Sequence, residues 1–176
     1  EFELATEWLA RLDAAFEQPF AHPSPRELLL RAQAKVIAGE LALRGGDPAR
    51  AAQAFAEASE QLGQDQGQPS PLAARIELGL ARAARALGDY EAAERAYLRG
   101  LASERQVIAL RELGTLVLER DEPERALLLL REALELADPR EVHEQVALHR
   151  ELAAAAMFGG HWPAEHRCSS EFAVRS

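Results

Sequence analysis

Cysteine is almost missing from this chain of 176 residues, and Cys168, the only one, has no second cysteine with which to form a disulfide within the chain. No cationic stretch leads into an apolar segment at the start of the sequence, as it would in a secretory signal. The longest uninterrupted apolar run, Leu152–Phe158, is far shorter than the roughly 20 residues that cross a bilayer. These absences predict a cytoplasmic setting without a membrane-spanning segment.

Lysine, asparagine and aromatic residues are also scarce. Lys35 is the single lysine, asparagine does not occur, and aromatic residues make up 6% of the chain. Few aromatics together with abundant alanine suit helices that pack through small side chains, and do not suit a sheet. The formal net charge of -9 means that the surface as a whole repels nucleic-acid phosphates and anionic lipids. We therefore expect an all-α chain that binds neither nucleic acid nor membranes directly.

The motifs of cofactor and catalytic chemistry are missing as well. The glycine pairs at positions 45–46 and 159–160 follow expected helices, whereas phosphate-binding loops place their glycines after a strand. His161, His166 and Cys168 are close in sequence, but the last two point apart on a helix, and no Cys-x-x-Cys pair accompanies them. No acid, base and nucleophile are brought together by spacing. The sequence thus predicts no metal, no cofactor and no enzyme activity.

Helical periodicity and helix-start signals fill most of the chain. Ser24-Pro25-Arg26-Glu27 has the form of a capping box, and both Ser70-Pro71 and Asp138-Pro139 repeat its cap and proline. About nine helices are expected, with short turns that make neighbouring helices antiparallel. Their approximate bounds are 3–18, 24–44, 48–61, 70–87, 90–102, 103–119, 123–137, 138–158 and 162–172.

One spacing pattern occurs three times. A small residue is followed seven positions later by a turn, and an alanine, a large apolar residue and a second small residue stand five, nine and twelve positions after the start of that turn. The copies are Gly39, Gly46-Asp47-Pro48, Ala51, Phe55 and Ala58; Ala81, Gly88-Asp89-Tyr90, Ala93, Tyr97 and Gly100; and Gly114, Asp121-Glu122-Pro123, Ala126, Leu130 and Ala133. Such self-similarity indicates helix pairs that bury their apolar faces by stacking on one another.

The pattern resembles the tetratricopeptide repeat (TPR) family, and Gly88-Asp89-Tyr90-Glu91-Ala92-Ala93 with Tyr97 is very close to that family's inter-helix consensus. The resemblance implies an α-α superhelix in one domain over residues 1–176. Residues 1–23 would be an N-terminal cap or half repeat, 24–62, 70–102 and 103–137 three repeats, and 138–176 a degenerate fourth repeat or C-terminal cap. The longer units are similar to those of large bacterial regulators, which implies a fragment of a larger regulatory protein.

In this family the first helix of each pair lines a concave groove, which implies a partner-binding face here. On the helix after Ser70, one stripe is expected in the core and the nearly opposite stripe in the groove. The expected core residues are Ile76, Leu80, Ala83, Ala84 and Leu87. The expected groove residues are Arg75, Leu78, Arg82 and Arg85, joined by Arg111, Thr115, Leu118 and Arg150 from the later pairs.

Guanidinium groups form two-pronged bonds to carboxylates, so an arginine-lined groove predicts a protein or peptide partner with acidic groups. An ordinary solvated face is the alternative, with the arginines paired to Glu40, Glu77, Glu112 or Glu119 on neighbouring helices. A different class of function also stays open, in which the chain is a structural module that forms a homodimer through its end helices.

Overall fold

The computed structural model describes residues 7, 8, 11, 14, 24–62, 70–101 and 106–159. Seven helices and no strand occur in these ranges, which confirms the all-α prediction. The helices are α1 (Pro25–Arg44), α2 (Pro48–Leu62), α3 (Pro71–Ala86), α4 (Tyr90–Gly100), α5 (Gln106–Glu119), α6 (Pro123–Leu136) and α7 (Val142–Phe158). The expected helix over 162–172, and all but four positions of the one over 3–18, lie outside the described residues.

Side-chain caps begin several of these helices where the sequence predicts them. Ser24 Oγ accepts a hydrogen bond from the backbone N–H of Glu27 at 3.3 Å, which confirms the serine half of the capping box. The Glu27 carboxylate accepts from Arg31 at 2.9 Å. Asp47 and Asp89 accept from backbone N–H groups three residues later, at 3.0 Å and 2.9 Å. Each cap satisfies a donor that the helix itself leaves unpaired.

The start of α7 differs from the prediction. Asp138 Oδ1 accepts from the N–H of Arg140, two residues later, at 2.8 Å, and the N–H of Glu141 bonds to the Asp138 carbonyl at 3.0 Å. The aspartate therefore closes a turn around Pro139, and the helix begins at Val142.

The three inter-helix turns use the same backbone conformation. Gly46 and Gly88 have φ values of 77° and 81°, and Asp121, the equivalent residue of the third copy, has a φ of 63°. Glycine adopts this left-handed region without a steric penalty, whereas an aspartate does so at some cost. The third turn thus keeps the backbone conformation of the other two although it has an aspartate in place of their glycine.

The chain divides into two compact units, Glu1–Gln106 and Val107–Ser176, so the prediction of one domain over all 176 residues stays a prediction. In the first unit α1 packs on α2, α2 on α3, α3 on α4, and α1 also on α3. Phe55 is fully buried at the centre, in one cluster with Val36 and Ile76. A Cβ at Gly39 would lie 2.8 Å from the Phe55 ring, so the absence of a side chain there allows the close approach of α1 and α2.

The second unit repeats this packing with an aliphatic side chain. Leu130 of α6 is fully buried, and a Cβ at Gly114 of α5 would lie 2.8 Å from its Cγ atom. Helix α7 packs on α6 and buries Leu148 and Ala155 completely. The small and large residues of the repeat pattern therefore meet as interhelical contacts.

Candidate functional site

In the first unit, a two-pronged ion pair joins α1 and α3, which are the first helices of two successive helix pairs. Arg75 of α3 donates from Nε to Glu40 Oε1 at 2.8 Å and from Nη2 to Oε2 at 2.7 Å. Both side chains are about one-third exposed, so the pair lies at the surface. This geometry fixes both groups, because a planar guanidinium matches a carboxylate edge to edge.

The electrostatics of Glu40 extend beyond that pair. The hydrogen bonds from Arg75 hold the pKa of Glu40 below its ordinary value of 4.5, and the charges of Arg75, Arg44 and Arg82 act in the same direction against the opposing effect of partial burial. The same carboxylate raises the pKa of Arg75. The charges of three guanidinium groups thus act on one carboxylate in this part of an acidic protein.

The other residues of α3 that were predicted to line the groove differ in how far they are buried. Arg82 is exposed and Arg85 is partly buried, and both make further contacts. Leu78 is only 1% exposed, so the expectation that it faces a partner is corrected: its side chain belongs to the core. Its burial follows from the packing of α3, which contacts α1, α2 and α4 and therefore buries more than one stripe. Conversely, Leu87 was expected in the core and is 54% exposed just after α3 ends.

In the second unit, two predicted residues on α5 contact glutamates of α7. Thr115 Oγ1 lies 2.7 Å from Glu151 Oε2 and 3.0 Å from the Arg111 carbonyl oxygen, and its one proton serves either acceptor. Arg111 Nε lies 3.0 Å from Glu144 Oε1, close enough for an ion pair although its N–H is not aligned for a hydrogen bond. These contacts tie α5 to α7.

Arg150 and Leu118 complete the predicted set. Arg150 is 77% exposed, and its Nη2 lies 3.7 Å from Glu151 Oε1. Leu118 is partly buried near the end of α5. The two arginines and two glutamates of this cluster balance in charge, unlike the surroundings of Glu40.

The alternative raised by the sequence, in which arginines pair with glutamates on neighbouring helices, is observed for Arg75 with Glu40. Glu77 is also paired, since Arg99 of α4 donates to it at 2.9 Å. Glu144 and Glu151 were not anticipated as partners of Arg111. The signal for them is their spacing, because Glu144, Leu148, Glu151 and Ala155 form one helical stripe whose apolar members are fully buried.

Within the described ranges, no three His, Cys, Asp or Glu side chains are placed to hold a metal ion, and His161, His166 and Cys168 lie outside those ranges. Helices long and apolar enough to cross a bilayer do not occur among the described residues either.

No protein-family model matches the sequence, and no curated protein matches it. Solved structures do resemble it. BtubC (BKLC) from P. vanneervenii superposes over 90% of this chain with a TM-score of 0.72 and 20% identity, and the chain spans 65% of the length of that protein. A Podosopora anserina structure, described as kinesin light chain nearly identical TPR-like repeats, gives a TM-score of 0.68 at 18% identity, over 92% of this chain and 78% of that one. At these identities the likeness shows the fold, which is the TPR-like helical-repeat solenoid.

Proposed function

We propose that this chain, a helical-repeat protein with the TPR-like fold, is a protein-interaction scaffold whose first unit binds an acidic peptide or partner helix beside Glu40 and Arg75. The observation that carries the proposal is the two-pronged pair of Arg75 with Glu40, a carboxylate on which the charges of Arg44 and Arg82 also act. Because Arg75 neutralises Glu40, the charges of Arg44 and Arg82 attract a partner's carboxylates, although the protein as a whole carries a net charge of -9.

The second unit contributes to this function in a different way. Arg111 is held between Glu144 and Glu151, so a partner carboxylate would have to displace a glutamate that is already in place. We assign Arg111 and Thr115 to the stability of the α5–α7 contact. The length and alanine-, arginine- and leucine-rich style of the repeats also support a place within a larger bacterial regulatory protein.

Fluorescence anisotropy with a labelled, extended peptide rich in glutamate and leucine tests the proposal. Replacing both cations, Arg44→Glu with Arg82→Glu, is expected to weaken binding by about thirtyfold or more, because each charge-assisted contact contributes on the order of 1 kcal/mol or more. Arg95→Glu is the matched control, since Arg95 lies on α4 and its side chain is 63% exposed. Equal affinities of the double variant and the control variant would refute the proposal.

Self-assembly is the second candidate, and the outer face of α7 favours it. Val142, Val146 and Met157 follow one helical stripe and are 64%, 63% and 64% exposed. Light scattering over a range of protein concentrations separates the candidates. A dimer that is lost in Val146→Glu but kept in Leu128→Glu, at a similarly exposed leucine of α6, would support assembly through α7. A constant monomer mass excludes it.

A further inference from the structure

Helix α1 also presents an exposed apolar surface, which adjoins the Glu40–Arg75 pair. Its exposed residues are confined to one side of the helix: Arg26, Leu30, Gln33, Ile37 and Arg44 follow each other at helical spacing, and Pro25 and Leu29 lie next to the first two. Leu29, Leu30 and Ile37 are 41%, 49% and 45% exposed. The stripe therefore has an apolar middle and an arginine near each end, and Glu40, which is paired with Arg75, lies on it between Ile37 and Arg44.

The equivalent stripe on α3 is covered by a helix. The turn glycines Gly46 and Gly88 are 42 positions apart, and the same offset relates Leu30 to Leu72 and Ile37 to Gly79. Leu72 packs against the cluster around Phe55, and a Cβ at Gly79 would overlap the Phe55 ring. On α3 these positions thus face α2, whereas the matching positions of α1, Leu30 and Ile37, are exposed.

The charges on α1 indicate what kind of helix fits. Its two acidic residues are turned to internal partners, Glu27 to Arg31 at 2.9 Å and Glu40 to Arg75 at 2.7 Å. The exposed residues of α1 include two arginines and no acid. Opposite charges at the rim of an apolar contact favour the encounter and set the register of a partner.

We infer that this face of α1 binds an amphipathic helix from a partner protein, with two apolar residues on its contact side and an acidic residue beyond each. At a rise of about 1.5 Å per residue, Leu30 and Ile37 are about 10 Å apart and Arg26 and Arg44 about 27 Å apart. The partner helix accordingly needs about 20 residues, with its apolar anchors seven positions apart. Arg44 belongs both to this face and to the site proposed beside Glu40, so the inference rests in part on the proposed function, and Ile37, which that site does not use, distinguishes the two.

A second copy of α1 is a poor occupant of this face. In an antiparallel pair Arg26 would lie near the partner's Arg44, and in a parallel pair each arginine would lie near its own counterpart. Like charges placed together in this way oppose association.

The test uses the full chain and labelled peptides of about 20 residues, each with two leucines seven positions apart. One peptide carries glutamates at its ends and its counterpart carries lysines. We expect the glutamate peptide to bind and the lysine peptide to bind at least about tenfold more weakly. Ile37→Glu and Arg26→Glu should each weaken binding of the glutamate peptide by about tenfold, a change of about 1.4 kcal/mol. Leu128→Glu on α6 and Arg95→Glu on α4, which lie off both this face and the Glu40 site, should leave its affinity unchanged.

Circular dichroism checks that each variant keeps its helices, and Leu30→Glu provides a second test should Ile37→Glu unfold the protein. The proposal is overturned if the glutamate peptide does not bind at concentrations up to about 1 mM. It is overturned also if Leu12→Glu in the upstream segment raises the peptide affinity tenfold or more, because that segment would then be the occupant. A dimer that disappears in Ile37→Glu would assign the face to a second copy and likewise exclude the proposal.

Discussion

At the scale of single residues, the absence of a side chain at Gly39 controls the packing of the first unit. The Phe55 ring has no free space, since it lies against Gly39 on α1 and against Gly79 on α3. A methyl group at either glycine would have to displace a fully buried aromatic ring. The pairing of a small residue with a large one sixteen positions later is therefore a packing requirement of the repeat.

We expect Gly39→Ala to destabilise the protein by up to about 2 kcal/mol in urea unfolding, because an overpacking cost of about 1–3 kcal/mol is only partly offset by the roughly 1 kcal/mol that alanine gains as a better helix former. Combining it with Phe55→Leu makes room for the methyl group, so the cost of Gly39→Ala should become smaller in that background. If Gly39→Ala raised the stability of the otherwise unchanged protein, the proposed packing of Phe55 would be wrong.

Glu40 gives the protein a pH-dependent contribution to stability. Its pKa is lower in the folded chain than its ordinary 4.5, chiefly because of the hydrogen bonds from Arg75. A carboxylate of this kind stabilises the fold fully above the unfolded-state pKa, and the contribution is lost as the pH falls through the folded-state pKa. We expect the stability difference between the unchanged protein and Glu40→Gln to shrink as the pH is lowered from neutral to about pH 3 in urea titrations. Glu124→Gln, at an exposed acid of α6, is the control; a difference that is constant with pH would contradict the prediction.

At the scale of helices and turns, the third turn is the weakest version of the pattern. Asp121 occupies the left-handed conformation that glycine takes in the other two turns, and Glu122 provides no side-chain cap to α6 where Asp47 and Asp89 provide one. Both departures cost stability for known reasons, the first steric and the second an unsatisfied backbone donor.

Copying the first turn into the third should therefore stabilise the protein. Asp121→Gly together with Glu122→Asp is expected to raise the free energy of unfolding by about 1–2 kcal/mol, because the backbone strain is removed and a cap is added. The contacts of Glu122 with Arg120 and Arg125, at 3.4 Å and 3.2 Å, are surface ion pairs whose loss costs little. The reciprocal change, Gly46→Asp with Asp47→Glu, should lower the urea midpoint. The prediction fails if both pairs of substitutions shift the midpoint in the same direction.

The sequence predicts helices more accurately than it predicts the site. Caps and turns are local, so the expected bounds of α1, α2 and α3 agree with the structure to within a residue or so. The burial of Leu78 could not be predicted from one stripe, because it depends on the packing of α3 against three other helices. The pairing of Arg111 with Glu144 likewise depends on which turns of α5 and α7 come together, and that register is set by tertiary packing.

At the scale of the whole molecule, the uneven distribution of charge matters more than its sum. The chain carries 29 acidic and 20 basic residues, yet the most exposed positions of α1 include arginines and no acid, and the charges of three guanidinium groups lower the pKa of Glu40. Attraction to such a patch extends about one Debye length, roughly 8 Å at physiological salt. A partner small enough to cover only the patch is attracted, whereas a larger polyanion also meets the acidic remainder of the surface.

This contrast predicts selectivity between anions. A glutamate-bearing helix of about 20 residues should bind, while duplex DNA, which carries a negative charge about every 1.7 Å along its axis, should not displace it at physiological salt. Lowering the salt concentration should increase the preference for the peptide over duplex DNA, because the longer Debye length lets the net charge of -9 repel the duplex from further away. Competition anisotropy, with the labelled peptide bound and DNA added at two salt concentrations, measures the effect. Displacement by DNA that becomes stronger at low salt would mean that the local patches outweigh the net charge, and the selectivity for acidic peptides proposed here would be lost.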